Sequence, residues 1–200
     1  MIYECVRRLL KLYYRIKCKI TYIGTENIPQ KGGFIAACNH QSYSDPPLLA
    51  TAIKGRKFSF MAKSELFQKN KLFKWLITAL GAFPVERGAG DTGAIDRAIS
   101  DLEKGKVFVI FPEGTRSKDG TIGRAKSGVT LIASKANAAV VPFCIKYGEK
   151  KGRQHITISA GKLIPAEKMH IPEGNRKALK ETSALIMDNI KTLMDEIDEA

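Results

Sequence analysis

What this chain lacks narrows its function before any motif is read. No uninterrupted apolar segment reaches the roughly 18 residues that a membrane-spanning helix needs. Cysteine occurs four times in 200 residues, at Cys5, Cys18, Cys38 and Cys144, and no two stand at C-x-x-C spacing. That argues against a disulfide framework or a thiolate metal site, and it fits reduced thiols in a cytosolic setting. Cys38 and Cys144 sit inside apolar runs, where a thiol behaves as a small hydrophobe. There is no G-x-S-x-G elbow and no phosphate-loop lysine, so an ordinary serine hydrolase or nucleoside triphosphatase is disfavoured. Acidic residues are also scarce, 20 against 33 basic ones, which leaves a net charge of +13.

That charge is uneven. Residues 1–80 carry 14 Lys and Arg against 4 Asp and Glu, whereas residues 173–200 carry 4 against 7. A basic front suggests one face turned toward an anionic partner, for which nucleic acid and a membrane surface both qualify on charge alone. The opening "MIYECVRRLLKLYYRIKCKI" is too interrupted by charge for a secretory signal. Ile2, Val6, Leu9, Tyr13, Ile16 and Ile20 recur at steps of three and four among six basic residues. This predicts an amphipathic helix over residues 1–20 lying in a membrane interface. An amphipathic helix packed on its own core, with a solvated basic face, is the alternative.

Further along, periodicity predicts strands at "KITYIG", "FIAAC" (34–38), "FSFMA" (58–62), "VFVIF" (107–111), "AAVVPFCIKYG" and "HITISAG", with a short one at "GAFPVER". Helices are predicted at "DPPLLATAI", "NKLFKWLITAL", "DTGAIDRAISDLEKGK" (Asp91 as its cap, Gly105 as its stop), "SGVTLIASKAN" and from about Asn175 to 198. Alternation of strands and helices implies one α/β domain with a mostly parallel central sheet flanked by helices. The expected division is residues 1–20 as the interface helix, 21–165 as a catalytic core and 175–198 as a C-terminal helix.

In such folds ligands collect where strands end. His40 stands directly after "FIAAC", and Asp45 follows five residues on, at a helix start. A carboxylate at that distance can fold back onto one imidazole nitrogen and leave the other free as a base. Alternatively, Asp45 only caps its helix. Glu113, Gly114, Thr115 and Arg116 follow the strand "VFVIF", where Gly permits an unusual backbone and Arg offers a phosphate fork. Arg87 ends "GAFPVER". "GAGDTG" (88–93) fits the G-x-G-x-x-G dinucleotide pattern, but the strand before it is short and broken by Pro84, so the match carries little. His155 and His170 lack acidic neighbours and are expected to be structural or exposed.

"NHQSYSD", "GAFPVER", "FPEGTRS" and "VPFCI", in that order, resemble the four sequence blocks of the glycerolipid acyltransferases, across roughly residues 20–165. Within that family the chain is similar to the bacterial 1-acyl-sn-glycerol-3-phosphate type. The resemblance implies that His40 is the general base, taking the proton of the sn-2 hydroxyl of lysophosphatidate, with Asp45 fixing the imidazole. It implies no covalent acyl-enzyme. It also implies acceptor binding by Arg87, Glu113, Gly114, Thr115 and Arg116, with Glu113 facing a hydroxyl or an arginine and Lys63 adding a second cation. Glu86 stands where many relatives have Asp. The implied donor is acyl-CoA or acyl-acyl-carrier-protein as co-substrate, with no resident cofactor or metal and no nucleic acid. Lys54, Arg56 and Lys57 are candidate contacts to the donor's phosphate. The implied place is the cytoplasmic face of the cell membrane, peripheral and without a transmembrane helix. Another lysophospholipid, or glycerol 3-phosphate, as acceptor is the nearest alternative. A non-catalytic module binding anionic lipid or nucleic acid is the remote one.

Overall fold

The structure is a computed structural model and describes residues 2–86, 92–149 and 152–199, with the backbone alone for Ile2. Among these residues seven strands form one sheet: β1 Cys18–Ile23, β2 Phe34–Cys38, β3 Phe58–Lys63, β4 Ala82–Val85, β5 Val107–Ile110, β6 Val140–Tyr147 and β7 Gln154–Ala160, in the order β1-β7-β6-β2-β5-β3-β4. The pairs from β6 through β2, β5 and β3 to β4 are parallel. β7 runs antiparallel to β6, and β1 lies parallel to β7, so these two strands reverse the sheet's direction at one edge. The α/β class and mostly parallel sheet expected from the sequence are what the chain forms.

β2 is central, and all five of its residues are buried. Phe34, Ala36 and Cys38 point to one face and Ile35 and Ala37 to the other. An apolar run without alternation is the mark of a strand covered on both sides. The first face is covered by α1 (Ile2–Lys17), α2 (Asp45–Ala52) and α3 (Lys71–Ala79), the second by α4 (Thr92–Glu103), α5 (Gly128–Lys135) and α6 (Arg176–Glu199). The helix starts follow local chemistry. Asn70 Oδ1 accepts from the Phe73 amide at 2.7 Å to open α3, and Asn175 Oδ1 accepts from Ala178 at 3.0 Å to open α6. The expected stop at Gly105 has the left-handed backbone it needs, with φ 72°. Asp91, the expected cap of α4, lies outside the described residues.

α1 departs from its expected pattern. Of the stripe predicted from Ile2 to Ile20, Val6 joins the core while Leu9, Tyr13 and Ile16 do not, and a neighbouring row outside that stripe supplies the other core contacts. Tyr3, Val6, Leu10 and Tyr14 pack on the core, with Val6 and Tyr14 buried. Leu9, Leu12, Tyr13 and Ile16 are instead 67%, 57%, 53% and 65% exposed. The two rows stand roughly a third of a turn apart around the helix, so packing one row on the sheet leaves the other in the open. Ile20 belongs to β1.

Candidate active site

The carboxyl ends of β2, β5 and β6 meet at one place, and the loops leaving them build the site. β2 hands over to Asn39, which is 1% exposed. Its amide acts as an extra rung of the ladder: Nδ2 donates to Ile145 O at 2.9 Å, and Ile145 N donates to Oδ1 at 2.8 Å. With Asn39 fastened to β6, His40 has a fixed point of departure. Its backbone oxygen accepts from Ser117 N at 2.7 Å, and its amide donates to Glu113 Oε1 at 3.3 Å. The imidazole lies on the Phe111 ring, centroids 4.0 Å apart and planes 20° from parallel. The ring's tilt is therefore set from below by the end of β5.

His40 Nδ1 lies 2.7 Å from Asp45 Oδ2. The carboxylate is fully buried and saturated with donors. Oδ2 also accepts the amides of Gln41 at 2.7 Å and Ser42 at 2.8 Å, and Oδ1 accepts the Tyr147 hydroxyl at 2.5 Å. Asp45 is therefore not the helix cap that the alternative reading allowed. Ser44 occupies that position, Pro46 and Pro47 fill the first turn, and the Asp45 side chain turns back over its own loop. A buried carboxylate on Nδ1 fixes the imidazole with its second nitrogen outward, which is the geometry of a general base. Nε2 has no hydrogen-bond partner among the described residues.

Glu113 is almost fully buried beneath this loop. Burial pushes its carboxyl above the ordinary glutamate range, opposed by the amides of His40 and Gly123 and by the imidazole. Its carboxyl faces the backbone amides of His40 and Gly123. Gly114 turns the chain with φ 72°, and a Cβ there would come within 2.8 Å of Lys126 Nζ. Thr115 and Arg116 are exposed. The Arg116 guanidinium lies 3.8 Å from the centroid of the exposed Tyr43 ring, and Lys69 Nζ lies 6.0 Å from the same ring. Three cations, Arg116, Lys126 and Lys69, thus stand around the loops that carry His40. Among the described residues no group of three or more His, Cys, Asp or Glu side chains is arranged to hold a metal.

Lys63 does not reach the dyad. It ends β3, two strands from β2, and its ammonium is 2.6 Å from Glu65 Oε1 at the surface. Arg87 and residues 88–91 of "GAGDTG" lie outside the described residues. Arg56 is not available to a donor: its guanidinium is clasped by the carbonyls of Pro29, Gly32 and Gly105 at the opposite end of the sheet. His155 and His170 are exposed, and His155 Nε2 meets Thr21 Oγ1 at 2.8 Å. Four residues that shape the site escaped the sequence reading. Phe111 and Asn39 were visible as the last ring and the first amide beyond apolar runs. Lys126 and Tyr147 become neighbours of the site only through folding.

An α/β sheet that presents a carboxylate-backed imidazole among cations is suited to base-assisted transfer to a hydroxyl, and relatives point to acyl transfer. The family model described as "Acyltransferase" matches residues 19–146. The chain belongs to this acyltransferase family. It is 29% identical over 201 residues to the 1-acyl-sn-glycerol-3-phosphate acyltransferase of Bacillus subtilis (strain 168), covering 98% of this chain and 99% of that protein. It is 35% identical over 145 residues to the protein of the same name from Streptococcus pneumoniae, covering 71% of this chain and 53% of that one. The crystal structure of the 1-acyl-sn-glycerophosphate (LPA) acyltransferase PlsC from Thermotoga maritima has the same fold, with a TM-score of 0.74 at 24% identity, over 97% of this chain and 79% of that one.

Proposed function

We propose that the protein transfers a fatty acyl group from an acyl thioester, acyl-CoA or acyl-acyl-carrier-protein, to the sn-2 hydroxyl of lysophosphatidate, giving phosphatidate. The observation that carries this reading is the His40 imidazole, held 2.7 Å from a buried carboxylate, with Nε2 free of hydrogen-bond partners among the described residues. Nε2 takes the hydroxyl proton as the oxygen attacks the thioester carbonyl. The tetrahedral intermediate then collapses, the carbon–sulfur bond breaks, and the imidazolium returns the proton to the departing thiolate. Asp45 holds the imidazole in the tautomer this requires and steadies the imidazolium between the two steps. No acyl-enzyme forms. Neither step calls for a resident cofactor, since the thioester is a co-substrate. Arg116, with Arg87 from the matching block, receives the phosphate of the acceptor, and the names of the Bacillus and Streptococcus relatives support lysophosphatidate as that acceptor.

The protein works on a lipid surface in this reading, at the cytoplasmic face of the cell membrane. Among the described residues no helix is long and apolar enough to cross a membrane. What supports peripheral docking is the outer row of α1, together with Leu72 and Trp75 of α3, 75% and 50% exposed. α3 packs beside α1, and the groove between them is edged by Lys71 and Lys74. Apolar side chains rimmed by lysines suit an anionic bilayer, where each cation near the surface contributes about 1 kcal/mol.

Acyl transfer by purified protein, from a labelled thioester to lysophosphatidate in anionic vesicles, tests the reading. Phosphatidate formation is the expected result. A thioester untouched by lysophosphatidate but consumed with another lysophospholipid or glycerol 3-phosphate would overturn the acceptor and keep the base. No transfer to any of these would overturn the reaction.

A further inference from the structure

The sequence pattern of β6 carries its last residue to an unexpected place. Val141, Phe143, Ile145 and Tyr147 alternate onto the face shared with α1 and α2, while Cys144 faces α6. β6 pairs with β2 only as far as Phe143↔Cys38 and then continues four residues beyond it along β7. Asn39 bridges the gap that opens. Tyr147 therefore stands above the level at which β2 ends, beside the first turn of α2, and its hydroxyl meets Asp45 Oδ1 at 2.5 Å.

Resting on the acyl-transfer reading above, we propose that Tyr147 is a positioning residue of this reaction: its hydroxyl turns the Asp45 carboxylate so that Oδ2 meets His40, and sets how much of the carboxylate's charge that oxygen presents to the imidazole. The two oxygens have separate duties. Oδ2 takes His40 and the two loop amides. Oδ1 takes the phenol, its one donor among the described residues. Burial and the adjoining carboxylate hold the Tyr147 phenol far above its ordinary range, so it remains a donor throughout the working pH. The other titratable groups facing the dyad are Tyr14 from α1, Cys38 at the end of β2 and Glu113 from the loop after β5. Burial raises all three, and none of them reaches Oδ1.

A donor on Oδ1 draws carboxylate charge away from Oδ2. Removing it concentrates the charge on Oδ2, which then binds the Nδ1 proton more tightly and favours the imidazolium. A stronger donor does the reverse. Two variants therefore have opposite signs. Tyr147→Phe keeps the ring and its packing, and the acid limb of its kcat/KM–pH profile is expected to move up by about half a pH unit or more. kcat falls about tenfold with the carboxylate less well oriented, and KM for thioester and acceptor stays unchanged. Replacing Tyr147 with 3-fluorotyrosine, a more acidic phenol, moves the limb down without loss of fold.

The low-field proton NMR signal of His40 Nδ1–H, assigned by its loss in His40→Ala, gives a reading independent of turnover. It is expected to shift downfield in Tyr147→Phe and upfield in the fluorotyrosine protein. Limbs and signals unmoved in both proteins, with only kcat or melting temperature lowered, would overturn the proposal and leave Tyr147 a packing residue. Absence of transfer by the unsubstituted protein would count against the reaction itself. The NMR signal would then still decide the role of Tyr147.

Discussion

Asp45 and Asp101 are both buried carboxylates, 0% and 1% exposed, and the fold treats them in opposite ways. Asp101, on α4, is neutralised: Lys106 Nζ lies 2.7 Å from Oδ1, and Arg97 Nε lies 3.0 Å from Oδ2, which also accepts Ser59 Oγ at 2.5 Å. Asp45 receives two backbone amides, a phenol and an imidazole, and no lysine or arginine. Both sets of donors satisfy a buried charge. Only the second has no full cation beside it, and in the proposed reaction the imidazolium supplies one. A buried carboxylate with full cations beside it is a staple, and one with neutral donors and a histidine is poised to support charge that comes and goes.

Asn substitutions test that contrast most sharply. Asp45→Asn is expected to lower kcat about 1000-fold, while Asp101→Asn leaves kcat within about threefold. Equal losses in a steady-state assay would erase the distinction. Next in size is Arg116→Ala, which removes an exposed cation and raises KM for the acceptor about tenfold or more with kcat little changed. Acceptor titration checks it, and an unaltered KM would remove Arg116 from phosphate binding.

The staple shows itself in stability. Asp101→Asn costs about 2 kcal/mol in urea unfolding at neutral pH, because two cations lose their counter-charge but keep access to water. Burial alone would raise the Asp101 carboxyl, but the bonds from Lys106, Ser59 and Arg97 outweigh it and hold it below the ordinary range. Its contribution is therefore present above the ordinary aspartate value and is lost as pH falls through the lower folded value. The stability gap between the parent and Asp101→Asn should close in acid. The smallest effect belongs to Glu113→Gln. Burial raises the Glu113 carboxyl, so its contribution is full below the ordinary glutamate value and lost as pH rises through the folded one. A melting temperature equal to the parent's or up to about 2 °C higher is expected at pH 7, with the gap vanishing toward pH 4. A large loss at pH 7 would show that the ionised carboxylate is needed.

Much of this was legible because the physics is local. "FIAAC" announces a strand buried on both faces, and His40 and Asp45 are close enough in the chain to meet by a single fold-back. What depends on distant pairing was not. The Asn39–Ile145 rung and the Tyr147–Asp45 bond join residues 106 and 102 positions apart, and no periodicity in one segment announces them. The reversal of β7 and β1 is hidden for the same reason, since a strand's composition does not reveal which way it runs. On α1 the helical period was clear, but the row of Tyr3, Leu10 and Tyr14 went unread, because only packing tells which row meets the core.

The most direct test of the central claim is the rate of phosphatidate formation by the parent protein and by His40→Ala, measured side by side with melting temperatures. The account predicts transfer by the parent, a loss of about 1000-fold or more in the variant, and closely similar melting temperatures. Transfer by a well-folded His40→Ala at anything near the parent's rate would contradict it.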